Sequence, residues 1–260
     1  MSLTFDEFKE KTIKILNLNL NGYKIQRVKR RTQSLMRRHN LSDYTECLEK
    51  LKKDISFRTV YLNHLTINTS EFFRNPDNYI YLKKNIIPEL MQKHKKVTFW
   101  SAPCSNGAEP YTLAIILKEM NYNTTRYNIK ASDIDSEILK SARKGIYNKS
   151  YIKNVPDKLL KKYFTINSDN KYQLDQEILK IVNFERKDLI KESYSQGWNM
   201  IFCRNFFIYL TREVKQKLTE KFVRALAPEG YLFLGNTEFI FKPGDYNLKK
   251  VHSSFYMKKD

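Results

Sequence analysis

Residues 97–113 constrain this chain more than any other stretch. An apolar run, Val97-Thr98-Phe99-Trp100, stops at a turn of small residues, Ser101 to Gly107, and a proline-started helical pattern from Pro110 to Met120 follows. That is a strand–turn–helix, the first half of a βαβ unit, and small side chains in the turn let a ligand approach the backbone. A second apolar strand, Ile129-Lys130-Ala131-Ser132, ends at Asp133. An acid at that point commonly holds the two hydroxyls of a ribose. The two features together call for a cofactor that contains a nucleoside.

The turn carries Gly107 alone, not the G-x-G-x-x-G of a pyrophosphate loop, and lacks the Lys-Ser/Thr pair of a P-loop. Glu109 at the mouth of the helix would repel a phosphate and attract a cation. S-adenosylmethionine has a ribose, an ammonium, a sulfonium and no phosphate, so it suits this turn. A plain βα turn with an incidental acid is the competing reading.

The chain has 260 residues, room for one large domain or a modest pair. Its three cysteines, Cys47, Cys104 and Cys203, have neither C-x-x-C nor metal-ligand spacing and read as reduced cytosolic thiols. The charged start, MSLTFDEFKE, is not a signal peptide, and no apolar run approaches the roughly 18 residues of a membrane span. The net charge of +19 points to an acidic partner, though much of it is scattered lysine.

Residues 1–75 read as helical, 76–96 as a linking helix (Tyr79 to Gln92) interrupted near Pro88, and 97–260 as alternating strands and helices, the mark of a parallel α/β sheet. Expected strands are 97–102, 129–132, 181–184, 198–203 and 231–235, with 253–257 closing an antiparallel edge. Between about 147 and 182 the pattern loosens into a short helix and a hairpin, Thr165-Ile166 and Tyr172-Gln173-Leu174, inserted into the sheet fold. Such insertions commonly carry recognition.

The helix expected over 24–39 is two-faced. At about 100° per residue, Ile25, Val28, Thr32, Leu35 and Met36 share one side, and Lys24, Arg27, Arg30, Arg31, Arg37 and Arg38 the other. No acid occurs between Glu10 and Asp43. This reads as a docking surface for an acidic protein or a nucleic acid, with Arg27, Arg30, Arg31 and Arg38 as its contacts.

Five separated motifs, Asn68 to Arg74, Trp100 to Tyr111, Ala131 to Asp135, Ile201 to Tyr209 and Leu226 to Gly235, closely resemble in order and spacing the CheR family, the chemotaxis receptor glutamate O-methyltransferases. The resemblance implies an N-terminal all-helical domain, a Rossmann-like S-adenosylmethionine-dependent methyltransferase domain and the inserted β-hairpin subdomain. It implies that Asn68, Ser70 and Arg74 lie against the cofactor, that Ala102 and Gly107 line it, and that Glu109 meets its methionine end. Asp133 would take its ribose, Asp188 and Leu189 its adenine, and Arg204 and Asn205 would border cofactor and substrate. Asp188 stands where the family has asparagine, which alters the polarity of that contact. The implied partners are cytoplasmic helices of chemoreceptors, the product is a glutamyl methyl ester, and Arg74 and Tyr209 are candidates to orient the acceptor.

That chemistry makes few demands on the protein. A glutamate with pKa about 4.3 is already a carboxylate and needs no general base to attack a sulfonium methyl. The four histidines are dispersed accordingly. Cys104 lies in the cofactor turn and reads as packing. No proline-proline-aromatic sequence follows Asn205, as base-gripping amino-methyltransferases typically need. A nucleic-acid methyltransferase and a non-catalytic module binding S-adenosylmethionine or S-adenosylhomocysteine stand as the alternatives.

Overall fold

The computed structural model describes residues 2–16, 20–66 and 70–260. The chain divides into two compact units, Met1–Asn68 with Tyr209–Lys215, and Thr69–Ile208 with Gln216–Asp260.

The first unit contains α1 (Phe5–Leu16), α2 (Ile25–Arg38), α3 (Tyr44–Lys53) and α4 (Ile55–Thr66). Asp43 caps α3 by accepting from the Thr45 and Glu46 amides, so the first-turn N–H groups have a partner. Phe8, Leu35, Cys47, Leu48, Leu51, Phe57 and Tyr61 fill the core, and the Thr32 hydroxyl meets the Tyr61 hydroxyl inside it at 2.8 Å. Val28, Thr32, Leu35 and Met36 of α2 face inward as the wheel requires. Ile25 does not: as the first residue of the helix it precedes the buried stripe and is 38% exposed.

The second unit opens with α5 (Pro76–Tyr81), a wide π turn over Leu82–Ile86 and α6 (Ile87–Lys93). Pro88 has no N–H to return to the preceding turn, and the helix runs on past it through the wider π turn just upstream. Then come β1 (Val97–Ser101), α7 (Ala108–Glu119), β2 (Tyr127–Asp133), α8 (Ser136–Lys144), β3 (Ile146–Tyr147), α9 (Asp157–Tyr163), β4 (Phe164–Ile166), β5 (Tyr172–Leu174), α10 (Gln176–Leu179), β6 (Val182–Arg186), β7 (Trp198–Cys203), α11 (Arg212–Ala225), β8 (Leu226–Leu234), β9 (Leu248–His252) and β10 (Phe255–Lys258).

Seven strands form one sheet in the order β6-β2-β1-β7-β8-β10-β9. The first five are parallel neighbours, and β10 runs antiparallel to both β8 and β9. A parallel strand covered on both faces reads as a near-continuous apolar run, and β7 is buried at every residue, its one polar side chain, Asn199, accepting from the Thr98 amide at 2.8 Å. Ala108 to Leu117 of α7 are likewise all buried, as expected of a helix apolar on all sides. The expectation for 253–257 was an edge strand; β10 instead lies inside the sheet, and β9, with its exposed Lys249 and Lys250, forms the edge. Charged lysines on an edge strand discourage pairing with other chains.

The inserted hairpin is part of a small sheet ordered β3-β5-β4. Ile146-Tyr147 supplies the third strand, which two residues with no period of their own could not announce. Phe72 packs edge-on against Tyr147 and Phe164 of this insertion, with ring centroids 4.8 and 5.1 Å apart.

Candidate functional site

In an open parallel sheet, ligands bind beyond the carboxyl ends of the strands, where the strand order reverses. Here that point is β1, flanked by β2 on one side and β7 on the other.

The turn after β1 is tied to both neighbours. The Ala102 amide donates to the Phe202 carbonyl of β7 (2.8 Å) and the Cys104 amide to the Ser132 carbonyl of β2 (2.9 Å). Ser105 has φ +50°, which aims its amide at Asp133 Oδ2, 2.8 Å away. Gly107 has φ +82°, and a Cβ there would lie 3.0–3.2 Å from Tyr111, Ala142 and Phe184. The space that a side chain at residue 107 would need is therefore taken by the protein's own side chains, and its positive φ favours glycine. Cys104 is buried and its thiol is held well above its ordinary pKa by burial, which suits packing and not a nucleophile.

Asp133 ends β2 only 4% exposed. Its Oδ2 accepts from Ser105 and its Oδ1 from the Asp135 amide at 3.1 Å. Burial raises its pKa to about 6 against the opposing pull of those amides. Each oxygen keeps a free lone pair, so a pair of ligand hydroxyls would supply donors the anion lacks.

Glu109, on the first turn of α7, is 6% exposed. Its Oε1 accepts from the Ser101 hydroxyl (2.7 Å), and its Oε2 pairs with Arg204 Nη1 (3.3 Å). Burial raises its pKa, with Arg204 opposing. A buried carboxylate held by one cation and one hydroxyl has capacity for an ammonium. These two acids thus fit a nucleoside with a cationic tail.

Arg204, directly after β7, is the hub. Nη1 also reaches the Tyr79 hydroxyl (3.2 Å), and Nη2 donates to the Arg74 carbonyl and Asn75 Oδ1, both at 2.8 Å. Its guanidinium lies 4.6 Å from the Phe233 ring centroid and 5.5 Å from that of Tyr79. One side chain therefore fixes Glu109 and the turn that carries Arg74 together, and Phe73 and Asn75 in that turn hold positive φ. Both terminal nitrogens of Arg204 are thus engaged by protein partners, while its buried Nε has none among the described residues.

The remaining expected residues divide. Ser70 lends its carbonyl to Asn106 Nδ2 at 3.2 Å. Asn68 lies outside the described residues. Asp188 follows β6, and its Oδ1 accepts from the Ile190 and Lys191 amides, so half of its carboxylate shapes a turn and the other half remains an acceptor. The Leu189 carbonyl is pinned by Lys221 Nζ and the Tyr194 hydroxyl. Asn205 takes φ +59° and donates its amide to Glu238 Oε2 at 2.7 Å. Tyr209 belongs to the helical unit, where the Arg27 guanidinium lies 5.6 Å from its ring and its carbonyl accepts from the Lys24 amide.

Two residues were missed. Asn106 caps α7 through the Ala108 amide (3.1 Å) while holding the Ser70 carbonyl. Glu238, 5% exposed, accepts from the amides of Asn205, Ile208 and Gly235. A Cβ on Gly235 would sit 2.6 Å from its carboxylate, which explains that glycine. An acid three residues after a glycine that ends the last parallel strand was the available signal.

The arginine face of α2 also divides. Arg30 and Arg38 are exposed. Arg31 is part-buried: its Nε donates to the His64 carbonyl, and His64 Nε2 lies 2.9 Å from the Arg31 carbonyl. Burial lowers the Arg31 pKa, the neighbouring arginines adding to the effect. Arg27 and Arg31 thus hold the helical unit together, and of the four expected contacts Arg30 and Arg38 are the exposed ones, beside the exposed Lys24, Lys29 and Arg37.

The all-alpha domain of CheR methyltransferases matches residues 3–66, and the S-adenosylmethionine-binding domain of the same family matches residues 68–256. A "Chemotaxis protein methyltransferase" of Listeria innocua is 36% identical over 244 residues, covering 94% of this chain and 92% of that one. Its namesake in Borreliella burgdorferi is 32% identical over 274 residues, covering 99% and 96%, and that of Escherichia coli is 33% identical over 184 residues, covering 68% and 63%. With both family domains present in order and a site whose two buried acids fit the donor, the chain belongs to the CheR methyltransferases, S-adenosylmethionine-dependent enzymes of chemotaxis.

Proposed function

We propose that this enzyme esterifies glutamate side chains on the cytoplasmic helices of chemoreceptors, in the cytoplasm, as part of sensory adaptation. When bound, S-adenosylmethionine supplies a methyl group on a positively charged sulfur. Glu109 receives the donor's ammonium, Asp133 its ribose hydroxyls, and Asp188 with Leu189 borders its adenine. Arg74, held in place through its carbonyl by Arg204, orients the incoming carboxylate. No side chain has to remove a proton, because the acceptor arrives ionised. With the donor bound, the protein's contribution to rate would be positional: Glu109 and Asp133 would fix the donor and Arg74 the acceptor carboxylate. Arg30 and Arg38 attract the acidic receptor helices.

The observation that carries this reading is the buried Glu109 carboxylate held together with the Arg74-bearing turn by one guanidinium, with a second buried carboxylate, Asp133, at the end of the neighbouring strand. A nucleic-acid substrate would call for base-gripping side chains after β7, where Asn205 is followed by Phe206-Phe207-Ile208. Mass spectrometry of a receptor cytoplasmic fragment incubated with enzyme and donor tests the proposal. Base-labile methyl esters on glutamate are expected; methylation confined to nucleic acid or to other side chains overturns it.

A further inference from the structure

The site residues run across the sheet in strand order: Asp188 after β6, Asp133 at the end of β2, Glu109 after β1, Arg204 after β7 and Gly235 after β8. The groups assigned to the nucleoside occupy the β6–β2 side. An acceptor that meets the methyl group must therefore come from the β7–β8 side.

The loop after β8 is built unusually for a soluble surface. Phe239 is 67% exposed and Phe241 69%, while Ile240 between them is only 8% exposed. The Ile240 amide is anchored to the Tyr256 hydroxyl at 3.2 Å, and Glu238 clamps the start of the loop to Asn205 and Ile208. The backbone is thus fixed and alternates, turning two phenylalanines to solvent on either side of a buried anchor. Lys242 follows, its ammonium 5.9 Å from the Phe241 ring centroid. Exposed large apolar groups on a rigid loop beside a site are the mark of a contact surface.

We infer that Phe239 and Phe241 grip the apolar stripe of the helix that carries the acceptor glutamate, with Lys242 meeting an acid on that helix. This rests on the function proposed above and assigns the residues that position its substrate. An amphipathic acidic helix is the occupant that the chemistry selects: its apolar stripe meets the phenylalanines, its acids meet Lys242 and the strongly basic chain, and its glutamate reaches the site beside the loop.

The test is methyl transfer to a receptor cytoplasmic fragment by wild type, F239S/F241S and F239L/F241L, with S-adenosylhomocysteine affinity measured on each by calorimetry. The serine variant should raise the KM for the fragment at least tenfold and keep its affinity for S-adenosylhomocysteine, and the leucine variant should recover most of the loss. An unchanged KM in the serine variant, including one accompanied by loss of wild-type self-association in sedimentation, overturns the inference alone. A parallel fall in S-adenosylhomocysteine affinity also overturns it, because the loop would then support the donor site. Wild type that esterifies no glutamate on the fragment overturns the underlying function and this assignment with it.

Discussion

Charge is used in opposite ways at the ends of the sheet strands and on α2. Glu109, Asp133, Arg204 and Glu238 are all less than 9% exposed, and each has named partners within hydrogen-bond distance. Arg30 and Arg38 stand in solvent on a helix with no acidic residue. A desolvated charge is expensive unless its neighbours are fixed, so it enforces geometry. A solvated charge costs little and enforces no geometry; it acts at a distance and is screened by salt. On the function proposed above, the same chain would separate the alignment of the donor from the attraction of the acceptor.

The largest test of this contrast is Glu109→Gln. It leaves the Arg204 guanidinium buried without its anion, so unfolding free energy should drop by about 3–5 kcal/mol, read by denaturant titration, and donor affinity should fall with it. Retained stability would mean that the pair is hydrated in solution. Next comes Gly235→Ala, where the new methyl group collides with the Glu238 carboxylate and the Asn205 amide. A loss of about 1–3 kcal/mol is expected, together with weaker binding of S-adenosylhomocysteine.

The pH dependence follows from Asp133. Its pKa in the empty site is raised to about 6, so below that value the carboxyl holds a proton that ribose hydroxyl donors would oppose. Affinity for S-adenosylhomocysteine should be flat above about pH 7 and fall by up to tenfold per unit below about pH 6. Asp133→Asn should flatten the profile, measured by calorimetry across that range. The raised value also means that the folded chain holds this proton more tightly than the unfolded one. Its contribution to stability is thus present at low pH and lost as pH rises through about 6.

The smallest effect belongs to the exposed face. Arg30→Glu with Arg38→Glu should slow receptor methylation several-fold at low salt, with the difference shrinking as salt is added and donor affinity unchanged. Arg31→Glu should instead unfold the helical unit at lower denaturant, because its partner is the His64 carbonyl and not a substrate.

Periodicity made most of the architecture legible. The fully buried β7 matched its expected span, and the inward stripe of α2 followed the wheel from Val28 onward. Asp133 and Glu109 were legible as candidate site acids because one closes a strand and the other opens a helix around the same small-residue turn. The roles of Arg204 and Glu238 were not. Arg204 joins partners 95 and 130 positions away in sequence, and Glu238 reaches back 33 to Asn205. Contacts of that reach depend on strand order, which a local pattern does not encode. Arg31 shows the converse: the wheel put it on the polar face as a docking contact, but the carbonyl of another helix claims it. β9 and the third strand of the insertion were too short or too charged to register.

The placement of β10 has a consequence for how the enzyme comes into being. Phe255 stacks on Phe233 at 4.1 Å, and Phe233 is the ring beneath the Arg204 guanidinium. The strand bearing Phe255 is the last of the sheet to leave the ribosome, yet it slots between two strands made before it. A nascent chain therefore holds its motifs long before it can seat the arginine they depend on. Clipping a few residues past Met257 would spare this stack, whereas clipping before Phe255 would remove the ring that supports Phe233 beneath the Arg204 guanidinium.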